Sequence, residues 1–393
     1  MARTLSAGID IGTHQVKVVV AEKVSEAGRS LPRIIGSGFA ETRGVRHGYI
    51  VNLAETTKSV DQAVRKAERS SEIKIKSAYV SAGGIGLSGI TVSGSTVISR
   101  ADLEITALDM EKAIEASKAA IPEQYALNRQ IIHRIPIQYK VDGKLAFDSQ
   151  PLGLKGNKLE VKTLFVTCIE PHLNDLVTAV EDNGIEVTDI VAAPIAASLV
   201  TLSKQQKIAG VVLANIGAET VSIIVFENGT PISLEVFPIG ATDITNDIAL
   251  GLKIPLNEAE EIKQGGIIGL SYSKKKLDDI ITARLSDIFD LVENHLKKIG
   301  RNGLLPAGIV ITGGGSKIAT VEDLARASLN LPSRVASLNF GGNIKDLGDS
   351  VWAVAYGLCL IGLSEEVNII GASPENKNRT KNKFFSWFKQ LLP

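Results

Sequence analysis

Apolar and polar positions along this chain follow two periods, and the switches between them mark out its elements. Residues 8–22, GIDIGTHQVKVVVAE, place two β-branched stretches around a Gly-Thr turn, which predicts a hairpin. Residues 212–229, VLANIGAETVSIIVFENG, carry the same pattern. The two segments align without a gap: Asp10 falls on Asn215, Gly12 on Gly217, and Val16-Lys17-Val18-Val19-Val20 on Val221-Ser222-Ile223-Ile224-Val225. This internal echo suggests two similarly built halves.

A 3.6-residue period predicts a helix over 52–71, with Leu53, Val60, Ala63, Val64 and Ala67 on one face. Two shorter helices are predicted at 242–252 and 256–265, broken at Pro255. A long one is predicted at 275–300, with Ile280, Ile281, Leu285, Ile288, Phe289, Val292 and Leu296 on one side. A strand, a glycine loop and a helix follow over 307–328. Between about 83 and 162 the texture changes to short alternating strands around a single helix at 106–120, the pattern of an inserted α+β subdomain. The segment 371–383, GASPENKNRTKNK, has no means of packing a core and reads as a tether.

The last residues, KNKFFSWFKQLLP, are periodic again. On a helical wheel Phe384, Phe385, Trp387, Phe388, Leu391 and Leu392 fall within an arc of about 160°, with Lys383 and Lys389 among the polar positions opposite. Aromatic residues flanked by lysines form the pattern of an interfacial membrane anchor, and so short a helix is expected to order on contact.

Composition changes this picture in three ways. A chain of 393 residues with 44% apolar content has room for two or three packed domains and is not a disordered one. Its net charge is zero but uneven: residues 374–393 carry a net +4 and the rest a net −4, so an anionic partner is expected for the tail alone, and nucleic acid is not expected. Cys168 and Cys359, the two cysteines, lie in apolar runs, as buried thiols of a reduced cytosolic chain would. The N-terminal residues have no apolar h-region. The longest apolar run, 351–363, falls short of the roughly 20 residues needed to cross a bilayer.

Candidate chemistry gathers at three glycine turns after apolar strands: Gly12-Thr13, Gly217, and Gly313-Gly314-Gly315. Glycine lets backbone N–H groups approach and donate to phosphate oxygens. Neither the Walker nor the dinucleotide-binding spacing occurs. Asp10 could hold a hydrated Mg²⁺, and Lys17 could meet a phosphate. His14, His47, His133, His172 and His295 show no metal-ligand spacing and read as structural or surface residues. No nucleophilic Ser or Cys motif is evident.

DIGTHQVK resembles the first phosphate loop of the actin, sugar kinase and heat-shock chaperone superfamily, NIGAET its second, and GIVITGGGSKI its adenosine motif. Within that superfamily the chain resembles the FtsA family of bacterial cell-division proteins, most closely at 44–68, 237–263 and 308–318. The resemblance runs from about 7 to 370, and the basic aromatic tail also fits the family.

It implies an α/β fold, the duplicated actin-like (ribonuclease H-like) fold with an inserted α+β subdomain and a C-terminal amphipathic helix. The expected division is 1–82 with 163–204 as the first half, 83–162 as the insert, and 205–238 with 301–370 as the second half. A helical subdomain at 239–300, a linker at 371–380 and a membrane-targeting helix at 381–393 complete it. ATP with Mg²⁺ is implied between the halves. Asp10, Gly12, Thr13, His14 and Lys17 would serve the first loop, and Asn215, Gly217, Ala218, Glu219 and Thr220 the second. Glu260 and Lys263 would reach the ribose or adenine, although as a bare sequence pair they equally fit an i,i+3 surface contact, and Gly313 to Gly315 would close over the nucleoside. The implied partners are FtsZ (contacting the region around 240–300), other copies in a filament, the anionic inner face of the cell membrane, and downstream divisome proteins.

Two departures bear on activity. The family's second loop usually reads D-I-G-G-G-T, whereas here Asn215 cannot supply an anionic oxygen to orient Mg²⁺ or an attacking water. Glu219 would repel phosphate unless it points away or meets the metal. Weak or absent ATP hydrolysis is therefore expected. The alternatives are an FtsA-like pilus-assembly scaffold and an ATP-dependent kinase-type enzyme; the terminal helix favours the division protein, and Asn215 disfavours the kinase.

Overall fold

The computed structural model describes residues 4–26, 29–146, 151–266, 272–338 and 349–364. The linker and the amphipathic helix expected at 371–380 and 381–393 lie outside the described residues.

The first half opens with strand β1 (Leu5–Ile11), β2 (Gln15–Glu26) and β3 (Arg29–Glu41), a small hairpin of β4 (Val45–Arg46) and β5 (Tyr49–Ile50), helix α1 (Leu53–Ser71) and strand β6 (Ser77–Ala82). Helix α1 starts where expected because the Asn52 side chain accepts from the Glu55 amide, and it buries Val60, Ala63, Val64 and Ala67.

The insert follows: β7 (Leu87–Val97), α2 (Ala107–Ala119), the short α3 (Glu123–Ala126), β8 (Arg129–Val141), β9 (Lys144–Leu145) and β10 (Lys158–Ile169). Its sheet has the order β7-β10-β8-β9. A capping box between Thr106 and Asp109 starts α2, which lies over a small core of Ile105, Met110, Ile114, Tyr139 and Leu159. At the other end of the same strands, Leu87, Ile135, Leu164 and Val166 join the core of the first half.

The chain then returns through α4 (Glu170–Glu181), β11 (Glu186–Ala192) and α5 (Ala193–Thr201). The second half comprises α6 (Lys204–Ala209), β12 (Val211–Ile216), β13 (Val221–Glu227), β14 (Thr230–Phe237), α7 (Ala241–Leu252), α8 (Leu256–Lys263), α9 (Lys274–Lys298), β15 (Ile309–Thr312), α10 (Val321–Leu329), β16 (Ser333–Val335) and α11 (Ala353–Leu363). The long periodic segment folds as α9, burying Leu285, Ile288, Phe289, Val292 and Leu296.

The duplication is visible in the sheets. One runs β3-β2-β1-β6-β11 and the other β14-β13-β12-β15-β16. In each, a three-stranded antiparallel meander is continued by two parallel strands. The helix after each last strand crosses over: α5 packs on β12 and β13 of the second sheet, and α11 on β1 and β2 of the first. The two helices also pack on each other, so one core spans both halves, joining Ile9 and Val80 to Leu213, Phe226 and Val310. The apolar run at 351–363 is thus an interior helix, and no helix among the described residues is long and apolar enough to cross a membrane.

On the edge strand β11, Asp189 lies opposite Tyr79. Burial pushes its carboxyl up to about 7, and only the Ile190 amide, donating at 2.8 Å, works against that rise.

Candidate functional site

Both hairpin turns are built alike. The Gly12 amide donates to the Gln15 carbonyl at 3.2 Å and the Gly217 amide to the Thr220 carbonyl at 2.8 Å. The turn glycines therefore spend their own N–H groups inside the turns. Among the described residues the amides of Thr13, His14, Ala218 and Glu219 have no such partner, so the donors each loop can offer an anion come from the residues after the glycine.

The loops differ in charge. Asp10 stands opposite Lys17 across β1 and β2, while the matching pair in the second half is neutral, Asn215 opposite Ser222. The Ser81 hydroxyl, from the end of β6, donates to the Asp10 carboxylate at 2.7 Å. Burial pushes the Asp10 carboxyl above its ordinary value, and Lys17 and Ser81 pull it partly back. Burial likewise lowers the Lys17 ammonium, against the attraction of Asp10 and Asp349.

Asp349 and Lys317 enter this group without any signal in the sequence. They pair at 2.5 Å, and both act on Lys17 from the second half. Asp349 also accepts from the Val351 amide, which fixes it at the start of the turn leading into α11. Lysine and carboxylate thus alternate across the floor, Asp10, Lys17, Asp349, Lys317. Among the described residues no three His, Cys, Asp or Glu side chains converge as direct ligands of a metal.

The glycine loop after β15 is held against the second hairpin. Gly313 has φ 88°, and a Cβ there would lie 2.3 Å from Asn215 Oδ1 and 2.5 Å from the Ile216 carbonyl oxygen. Asn215 is therefore part of the wall on which the glycine loop rests. Around Gly314 the space is open.

Glu260 and Lys263 meet on α8. The ammonium donates to Glu260 at 2.7 Å, to the Thr245 hydroxyl at 2.8 Å and to the Ala241 carbonyl at 3.1 Å. All three donors of Lys263 are committed within the second half, and its side chain is only 9% exposed. Any polar contact to a ligand from this pair comes from Glu260.

Glu219 points out of its own half. Its carboxylate accepts from the His47 amide at 2.6 Å, and its carbonyl meets His47 Nδ1 at 3.2 Å. His47 is exposed and takes part in the contact between the halves, in keeping with its reading as a structural or surface histidine. The other histidines match that reading. His133 accepts from the Ala192 amide, His172 stacks on Tyr49, His295 meets the Ser233 hydroxyl, and His14 is exposed.

The family model for "Cell division protein FtsA" matches residues 212–357, and that for the "SHS2 domain inserted in FTSA" matches 84–167. The chain is 30% identical over 415 aligned positions to the cell division protein FtsA of Borreliella burgdorferi, covering 99% of each chain. It is 32% identical over 360 positions to that of Bacillus subtilis, covering 86% of this chain and 80% of the relative. The chain belongs to the FtsA family of cell division proteins. Membership assigns it a role in cell division. The fold is the actin-like duplicated α/β fold, with the FtsA-type insert at β7 to β10. A solved structure titled "PilM-PilN type IV pilus biogenesis complex" shares this fold, with a TM-score of 0.67 at 17% identity, over 91% of this chain and 98% of that one. The ethanolamine utilization protein EutJ of Carboxydothermus hydrogenoformans has a TM-score of 0.54 at 15% identity, over 92% and 91%.

Proposed function

We propose that this FtsA-family protein binds ATP in the cleft between its halves, polymerises, and tethers FtsZ filaments to the inner face of the cell membrane through residues 381–393. The observation that carries the nucleotide reading is the pair of like-built turns, each with two amides that have no partner among the described residues, beside the Lys17 ammonium and the Asp10 carboxyl. The amides of Thr13, His14, Ala218 and Glu219, with Lys17 and Lys317, would take the phosphates. Asp10 would hold Mg²⁺ through water, and Gly313 to Gly315 would lie against the nucleoside. Bound Mg²⁺ would supply charge neutralisation for the phosphates. Hydrolysis is weak in this reading because the second loop offers the neutral Asn215 and Ser222 where the first offers Asp10 and Lys17.

The membrane reading rests on the six apolar side chains of the tail and the net +4 of residues 374–393. One such foot binds weakly, and many on one polymer hold by avidity. Domain boundaries as given above, polymerisation through the insert and the actin-like parts, and FtsZ contact around 240–300 belong to the same proposal. The test is co-sedimentation of FtsZ with anionic liposomes. The full chain is expected to carry FtsZ to the vesicles, and a chain truncated before Lys381 to leave it in solution. Equal recruitment by both would refute the tethering role of the tail.

A further inference from the structure

Glu219 occupies a position where a phosphate-binding loop has no use for a carboxylate. Its side chain is 15% exposed and faces the β4–β5 turn of the first half, 172 residues away in sequence. The His47 amide is a fixed backbone donor to a charged acceptor, the stronger kind of hydrogen bond. Arg46, 3.6 Å from the other carboxylate oxygen but 75% exposed, adds little. The next residue, Gly48, donates its amide to the Thr13 hydroxyl at 2.9 Å. One turn therefore touches both phosphate-type loops.

The other side of that turn meets the entrance to the insert, backbone on backbone. The His47 carbonyl accepts from the Ile85 amide at 3.1 Å. A Cβ on Gly48 would lie 2.4 Å from Gly84 Cα, and one on Gly84 2.6 Å from the Gly48 carbonyl carbon. With no side chain between them the two segments cannot slide independently. Gly84 opens the turn that runs directly into β7.

We propose that Glu219 is a clasp holding the two halves closed across the cleft, and that the turn Arg46–Gly48 hands the state of the clasp to the inserted subdomain through the Gly48–Gly84 contact. Closing draws His47 toward the second half, and the start of the insert at Gly84 follows; opening releases this turn, while β7 keeps its own packing on β14. This rests on the cleft being one that opens around a ligand, so the clasp is tested without ligand.

Cys168 and Cys359 are buried, and burial pushes both thiols up, Cys168 to about 11, so spin labels go to introduced cysteines. Arg69 on α1, Arg326 on α10 and Lys112 on α2 are exposed sites in the first half, the second half and the insert. In the full chain without nucleotide, Glu219→Ala is expected to lower the closed-to-open ratio read from the 69/326 distances roughly ten-fold, the worth of one charge-assisted hydrogen bond. The 69/112 distances are expected to change in the same fraction of molecules. Glu219→Gln, whose amide oxygen still accepts from His47, is expected to fall between and controls for folding. Distances in Glu219→Ala that superimpose on the wild type overturn the clasp. A changed 69/326 distance with an unchanged 69/112 distance overturns the hand-over to the insert. Failure of the protein to bind ATP would refute the nucleotide reading and leave these outcomes as they stand.

Discussion

Asp189 offers a quantitative test of the burial described here. Replacing it with Asn removes a charge while leaving an oxygen to accept from the Ile190 amide, as Asp189 does at 2.8 Å. The carboxyl titrates near 7 in the folded chain, against an ordinary value of 3.8. Between those values the folded protein keeps a proton that the unfolded chain has released. Stability contributed by the protonated form is therefore complete below about 3.8, declines as pH rises, and is lost above about 7. A gap of about three, at roughly 1.4 kcal/mol each, makes the ionised group cost about 4 kcal/mol at pH 8 and less than half of that at pH 5. Asp189→Asn should thus gain about 2–3 kcal/mol relative to wild type between pH 5 and pH 8. Urea unfolding of both proteins at the two pH values measures this directly. His133, His172 and His295, which burial lowers to about 3, 4 and 4, also make the fold sensitive to acid, but their contribution is common to both proteins and cancels in the difference. A wild-type-to-variant difference that is the same at pH 5 and pH 8 would refute the half-buried, poorly partnered carboxylate.

Two further outcomes follow from the proposed nucleotide site. Gly313→Ala forces a Cβ into the left-handed region and against Asn215 Oδ1 at 2.3 Å, so it should cost about 2 kcal/mol or more of stability and weaken nucleotide binding at least ten-fold, read by thermal unfolding and calorimetric titration. Asn215→Asp restores an anionic oxygen to the second loop and should raise the rate of phosphate release from ATP. A wild type that already turns ATP over as fast as a typical kinase-fold ATPase, with no change in the variant, would remove the role assigned to Asn215.

Much of this protein was legible before its structure, for local reasons. Helix α1 is periodic and capped by Asn52, α9 carries one apolar stripe, and the 242–252 and 256–265 segments part at Pro255, each a signal complete within one turn or a few. The hairpins at 8–22 and 212–229 matched because β-branched runs around a glycine turn specify the same local geometry twice. The two glycine turns could be located for that reason, and their partners could not. The pairing of Lys317 with Asp349 beside Lys17, the commitment of all three Lys263 donors, and the turning of Glu219 onto the His47 amide depend on which segments the sheets and crossing helices bring together. The sequence by itself determined the elements, their duplication and the charge of the two loops, because period, caps and turn residues act over a few positions. Only the tertiary structure decided that Asp189 is desolvated, that Asn215 supports Gly313 and that Glu219 reaches the His47 amide of the first half, because burial and hydrogen-bond direction belong to contacts between residues far apart in the chain.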